Sequence, residues 1–395
     1  MEHPLKILFV INDLYTRGNG LAASARRTIA LLREHGHHVR ILSALPRDGD
    51  DCGVGMPEYV LPPLRIPLVD PLIASQGYAF ALAKRREIER ALAWADVVHL
   101  EEPFYLQAVV ARYARRRGVP VVATYHIHPE NLTASVCLDR ALPLNRAILE
   151  LWKRAIFNRS DLVQCPSRSV YERVSKLCVR APLLLLPNGV PLGEEMSGGG
   201  HEVGESSVVR ILVVGRFSRE KDQATILRAL RHSAHARSIQ LTFAGRGPTE
   251  HSLRASARRL LRRGVITHPL RFAFMSADEL AREASSCDLY VHAARIEVEG
   301  LSALEVLRHG VVPIIARGPL TATSQFALSE DSVFEAGHAR ALARAIDVWI
   351  DRGSVGRQCE ARRYRCVGER YDIRTCVARL EEAYRRLVFE GRARG

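Results

Sequence analysis

The sequence predicts an α/β fold of two Rossmann-like domains facing a cleft. Three observations carry this expectation. Short apolar, β-branched runs alternate with stretches of helical periodicity, the rhythm of parallel strands joined by crossover helices. That rhythm stops once, in a polar glycine-rich stretch, and then restarts. The chain has 395 residues, enough for two to three domains at about 150 residues each.

The elements follow in order. Residues 7–11 form an unbroken apolar run, as expected of a strand covered on both faces. Helical spacing follows over about 22–34, and 38–42 reads as the next strand. Residues 97–100, 119–124 and 162–165 repeat the strand signal, with Arg-rich helical stretches between them. The pattern breaks after Pro187-Asn188-Gly189-Val190. Residues 193–207 are rich in Gly, Ser and Glu, the composition of a linker. Strands then resume at 208–214, 239–244, 289–292 and 311–315. The last segment, 373–389, is an amphipathic helix with Leu380, Ala383, Tyr384 and Leu387 at helical spacing. The expected layout is a first domain over 1–190, a linker over 191–207, a second domain over 208–368 and a terminal segment over 369–395.

Composition narrows the function classes. Hydrophobic residues make up 47% and charged residues 25%, which excludes wholesale disorder. No apolar run approaches the 18 residues that a bilayer span needs. The N-terminus reads as a buried strand rather than a signal peptide. The net charge is +14, from 57 basic and 43 acidic residues, and only five of the 57 are Lys. A general Arg bias explains most of that excess; a polyanionic partner is the alternative. Nucleic acid is not expected, since no recognised binding motif is present. The eight cysteines show no Cys-x-x-Cys pair and no metal spacing, as in a reduced cytoplasmic protein.

Four loops carry candidate chemistry. Glu297-Val-Glu-Gly-Leu-Ser-Ala-Leu-Glu305 follows a strand and opens a helix near Ser302. In a parallel sheet such a loop lies at the carboxyl edge, where ligands bind. Gly300 lets a ligand approach the backbone, the amides of Leu301 and Ser302 favour an anion, and Glu297 and Glu305 can hold sugar hydroxyls. Ser302-x-x-Glu305 equally fits a helix capping box, which needs no ligand. Gly215-Arg216…Glu220-Lys221 places a planar guanidinium and an ammonium at a strand's carboxyl end, a pair suited to a diphosphate; two solvated cations are the plainer alternative. Arg17-Gly18-Asn19-Gly20 can cradle a phosphate. It lies too far from its strand for a dinucleotide fingerprint, and no acidic residue follows the second strand to hold a ribose. An NAD-dependent oxidoreductase is therefore the weaker reading. His126, in Thr124-Tyr-His-Ile-His-Pro-Glu-Asn131, ends a strand and can contact a sugar or move a proton, unless it is simply bonded to nearby backbone. Gly245-Arg-Gly247-Pro248 is a tight turn at another strand edge.

Taken together, these segments resemble the family-4 retaining glycosyltransferases of GT-B fold. Gly215-Arg216…Glu220-Lys221 is similar to that family's diphosphate-binding segment, Gly245-Arg-Gly247-Pro248 to its Gly-x-Gly-Pro turn, and Glu297 to Glu305 to its Glu-x7-Glu motif. Pro187 to Val190 is similar to the segment closing its first domain. The resemblance implies that Arg216 and Lys221 hold the donor diphosphate, that Glu305 binds the ribose, and that Glu297 meets the sugar with the amides of Gly300, Leu301 and Ser302. Asn19, Gly20 and Gly245 join the substrate set, and His126 contacts the sugar near the reacting carbon. It further implies that the final helix crosses back onto the first domain. No cofactor or essential metal is implied, because the two cations neutralise the leaving group.

A narrower resemblance, to diacylglycerol glucosyltransferase-like bacterial enzymes, rests on 126–131, 300–305 and 322–327. Glu299, where the wider family often has Phe, adds a third carboxylate. The expected function is transfer of a hexose, glucose foremost, from a UDP-linked donor to a membrane lipid or glycan, with a soluble acceptor as the alternative. For a lipid acceptor the enzyme would be cytoplasmic and peripheral on an anionic membrane. Trp94, Trp152 and Phe157, interleaved with Lys84, Arg85, Arg86, Arg90, Lys153 and Arg154, were the sequence features for that surface.

Overall fold

The structure, a computed structural model, describes residues 3–16, 18–45, 49–65, 79–192 and 208–394. The expected linker at 193–207 and Arg17 lie outside the described residues. The chain divides into two compact units, Met1–Gly189 with Ile373–Gly395, and Val190–Asp372.

The first unit is built on a seven-stranded parallel sheet. Its strands are β1 (Lys6–Val10), β2 (His38–Ala44), β3 (Tyr59–Leu61), β6 (Val97–Leu100), β7 (Val121–Thr124), β8 (Leu162–Cys165) and β9 (Leu183–Leu185), with β4 (Pro63–Leu64) and β5 (Phe80–Ala81) paired separately. The sheet order is β3-β2-β1-β6-β7-β8-β9. Ile7, Leu8, Phe9 and Val10 are fully buried, which is why β1 carries no polar alternation. Helices connect the strands. The one over Tyr105–Arg117 ends on Gly118 at φ 68°, a left-handed stop that a residue with a Cβ adopts only at a cost.

Helix Ile373–Arg394 packs on this same sheet and on helix Gly20–Glu34. Ile373, Cys376, Val377, Leu380, Tyr384 and Val388 are buried there. At about 1.5–3 kcal/mol for each large apolar side chain, this face holds the chain's end to the first unit.

The second unit holds a six-stranded parallel sheet of order β12-β11-β10-β13-β14-β15. The strands are β10 (Val209–Val214), β11 (Ile239–Ala244), β12 (Arg271–Ala273), β13 (Leu289–His292), β14 (Val312–Arg317) and β15 (Val333–Glu335). Its core gathers Phe217, Phe243, Tyr290, Phe326, Trp349 and Tyr364 around the strands.

Several expectations need correction. The strands β3, β4, β5, β9, β12 and β15 are short, flanked by Pro or weakly apolar, and fall below a periodicity signal. Trp152 and Phe157 do not face solvent: they are 5% and 1% exposed and belong to the core. Trp152 packs edge-on against Phe104 and Phe157 stacks on Tyr125. The cations beside them are spoken for as well, with Arg154 and Lys153 both paired to Glu150, and Arg85 and Arg90 to Glu89 and Glu87. Trp94 is half-buried beneath the Arg40 guanidinium, 4.4 Å from its ring.

Candidate active site

Each sheet has one place where the strand order reverses. In the second, β10 has β11 on one side and β13 on the other. In the first, β1 lies between β2 and β6. Ligands of open parallel sheets bind outside the carboxyl ends of the strands at such points. The loops after β10 and β13, and after β1 and β6, are therefore where chemistry is to be sought.

In the second unit the loop after β10 is held in shape by the loop after β11. Gly215 N donates to Ala244 O at 3.0 Å, Phe217 N to Arg246 O at 3.0 Å, and Thr249 N to Phe217 O at 3.1 Å. A Cβ on Gly245 would sit 2.1 Å from Gly215 O, and one on Gly247 2.4 Å from Phe217 O. These glycines are what allow the two backbones to touch. The clasped loop carries Arg216, whose Nη2 is buried with no hydrogen-bond partner among the described residues. Burial lowers the pKa of this guanidinium, against the raising effect of Glu220. A buried cationic nitrogen without an acceptor is costly.

Lys221 and Glu297 meet directly. The ammonium is paired with Glu297 Oε2, and His292 Nε2 lies 3.1 Å from the same oxygen. Burial raises the Glu297 carboxyl, but Lys221 and His292 outweigh it and hold the group at about 2. The loops after β10 and β13 are also tied by Arg295 N donating to Glu220 O at 2.8 Å.

Behind this pair stands Tyr290, whose hydroxyl meets His292 Nδ1 at 2.8 Å. Burial pushes the phenol up; Ser302 lowers it by a hydrogen bond, while Glu297 and Glu305 raise it. Glu299 is buried as well, at 4% exposed.

The capping box at Ser302 does not form. The helix Leu301–Leu307 has Gly300 as its N-cap, at φ 94°, with no side-chain cap bond. The space beside the Gly300 α-carbon is filled, since a Cβ there would lie 2.1 Å from Thr323 Cγ2. This glycine answers to packing, and its α-carbon leaves no room for a ligand on that side; the amides of Leu301 and Ser302 begin the helix beyond it.

In the first unit Asn19 caps helix Gly20–Glu34, accepting from Leu21 N at 3.1 Å and Ala22 N at 3.4 Å. Gly20 differs from Gly245, Gly247 and Gly300: a Cβ there would meet nothing within 4 Å, and no positive φ holds it as glycine. His126 lies against a carboxylate. Its Nε2 lies 2.7 Å from Glu101 Oε2. Glu101 also has His99 Nε2 at 3.4 Å, and His99 Nδ1 reaches the Tyr384 hydroxyl at 2.6 Å.

Sequence reasoning missed His292, Glu101, His99 and Tyr384. The first two had a signal, since each sits at or just past a strand's carboxyl end, as His126 does. Among the described residues no group of three or more His, Cys, Asp or Glu side chains could hold a metal.

Comparison with known proteins divides at the same point in the chain. The model of Glycosyltransferase Family 4 matches residues 18–194, and that of Glycosyl transferases group 1 matches residues 205–365. No curated protein matches by sequence. Among solved structures, sucrose-phosphate synthase from Thermosynechococcus elongatus is 17% identical, over 97% of this chain and 99% of that one, with a TM-score of 0.70. HepE from Anabaena, in complex with UDP and glucose, is 16% identical over 96% and 99%, with a TM-score of 0.66. The catalytic domain of cholesterol-alpha-glucosyltransferase from Helicobacter pylori is 36% identical over 41% of this chain and 98% of that one; its TM-score of 0.38 is too low to bear on the fold. The likeness is to GT-B folds, two α/β domains with parallel sheets.

Proposed function

The chain belongs to the glycosyltransferases whose first part is family 4 and whose second part is group 1, and on that premise we propose that it moves a hexose from a UDP-linked donor to a lipid acceptor with retention. The observation that carries the donor half is Arg216 Nη2, buried and without an acceptor beside the switch point of the second sheet. A diphosphate supplies that acceptor. Arg216 and Lys221 neutralise it, Glu305 takes the ribose diol, and Glu297 takes the sugar. Lys221 is paired with Glu297 before the donor arrives; the incoming phosphate competes for the ammonium and frees the carboxylate for sugar hydroxyls. UDP is the nucleotide bound to HepE, and glucose is the sugar in that complex.

The chemistry needs no protein nucleophile. The acceptor oxygen bonds to the anomeric carbon as the bond from that carbon to the diphosphate breaks. The acceptor proton passes to the leaving phosphate oxygen on the same face. Catalysis is then positioning plus stabilisation of the departing charge. Nothing in the fold demands a glycine at Gly20; Asn19 and Gly20 in the first unit, and Gly245 in the second, join the proposed substrate-binding set. His126 contacts the sugar at the reacting carbon.

The lipid half rests on exposed apolar side chains. Leu142 is 73% exposed and Leu151 62%, and Val136, Leu138 and Leu144 are exposed close to them in sequence, among Arg140 and Arg146. Apolar side chains interleaved with Arg suit an anionic bilayer surface. No helix among the described residues is long and apolar enough to cross a membrane.

A donor screen for nucleotide release, run with and without diacylglycerol in anionic vesicles, tests both halves. UDP release that rises with diacylglycerol is expected. Release stimulated instead by a soluble sugar acceptor would move the acceptor reading, and no release from any nucleotide sugar would end the donor reading.

A further inference from the structure

Two adjacent buried carboxylates follow β6, and they are used differently. Glu102 is spent on the fold: its Oε2 accepts from Asn12 N at 2.7 Å, Asn12 Nδ2 at 2.8 Å and Gln107 Nε2 at 2.6 Å. These bonds tie the loop after β1 to the loop after β6. Glu101, 3% exposed, faces imidazoles instead: His126 at 2.7 Å and His99 at 3.4 Å.

His99 cannot answer the carboxylate's charge. Burial holds its imidazole down at about 4, against the raising effect of Glu101. Its ring is fixed by Phe9, stacked at 4.8 Å, by Thr124 Oγ1 at 2.9 Å from Nε2, and by the Tyr384 hydroxyl. A buried carboxylate needs a hydrogen-bonding or charged partner. His126 is the imidazole at ion-pair distance.

We infer that Glu101 is a positioning residue for His126, fixing the orientation of the ring and the nitrogen that carries its proton from just past the carboxyl end of β6. The inference rests on the reading that His126 meets the transferred sugar. Carboxylates that orient a working histidine act in this way, and losing one costs on the order of 10- to 100-fold. Tyr384 and His99 extend the arrangement to helix Ile373–Arg394, so the chain's last helix buttresses the ring that buttresses Glu101.

The test is a double-mutant cycle on the full chain with the donor that the screen identifies. Glu101→Gln is expected to lower kcat at least about tenfold while KM for the donor stays within about threefold. In a His126→Ala background the same substitution is expected to change kcat by less than about twofold. Losses that multiply across the two sites would overturn the inference, as would a raised KM with kcat intact. Should Glu101→Gln not fold, 15N NMR of the unmodified protein decides: a protonated, hydrogen-bonded Nε2 on His126 at neutral pH supports the assignment, and a bare Nε2 refutes it. An unmodified chain that turns over no nucleotide sugar breaks the functional reading. One that turns over normally while Glu101→Gln costs nothing breaks this inference alone.

Discussion

The two sheets present opposite chemistry at equivalent places. Both reverse strand order next to a central strand, β10 in one unit and β1 in the other. At β10 the flanking loops carry cations, with Arg216 Nη2 lacking an acceptor among the described residues and Lys221 held by a carboxylate. At β1 and β6 they carry buried carboxylates already answered by amides and imidazoles. One topology thus carries a pair of cations in the second unit and a carboxylate–histidine set in the first. The division of labour lies in the loops.

Glycine substitutions break this contrast most strongly. Gly245→Ala drives a Cβ into Gly215 O at a positive φ, and should lower stability by about 3 kcal/mol, read as a fall in melting temperature. Gly20→Ala meets no atom within 4 Å and should leave the melting temperature within a few degrees while donor turnover falls. A stable Gly245→Ala would show that the loops are not clasped. Next in size, Lys221→Ala should weaken donor affinity by roughly 10- to 100-fold, the worth of one charge-assisted contact, measured by calorimetry. Unchanged affinity would assign the ammonium to Glu297 alone.

Glu305→Gln should weaken UDP-sugar binding by about tenfold with little change in melting temperature. A stability loss with binding intact would make Glu305 a support for Tyr290. The smallest effect is in pH. The Glu297 carboxyl is depressed to about 2 from its ordinary value of 4.5, so its pairing stabilises fully above pH 4.5 and is lost as pH falls toward 2. Melting temperature against pH should drop over that window more steeply for the native chain than for Glu297→Gln.

Much of the second unit was legible in the sequence. The strands at Ile239–Ala244 and Leu289–His292 are short runs rich in apolar, β-branched and aromatic residues, and the motif residues follow strand ends. Local spacing sufficed for Arg216 and Lys221 because they share one loop. It could not foresee that Lys221 meets Glu297, 76 residues on, since the pairing of β10 with β13 makes that contact. The first unit was less legible. Glu101 and Tyr384 are separated by most of the chain, and Trp152 and Phe157 read as surface aromatics until packing against Phe104 and Tyr125 buried them. The capping reading of Ser302 failed because Gly300, in a left-handed conformation, starts the helix earlier.

The central claim is that Arg216 is the buried partner of a donor diphosphate. The most direct measurement compares UDP with uridine as ligands of the native chain and of Arg216→Gln. The account predicts that the substitution weakens UDP by at least about tenfold and leaves uridine untouched; equal affinity of both proteins for UDP, or equal losses for UDP and uridine, would contradict it.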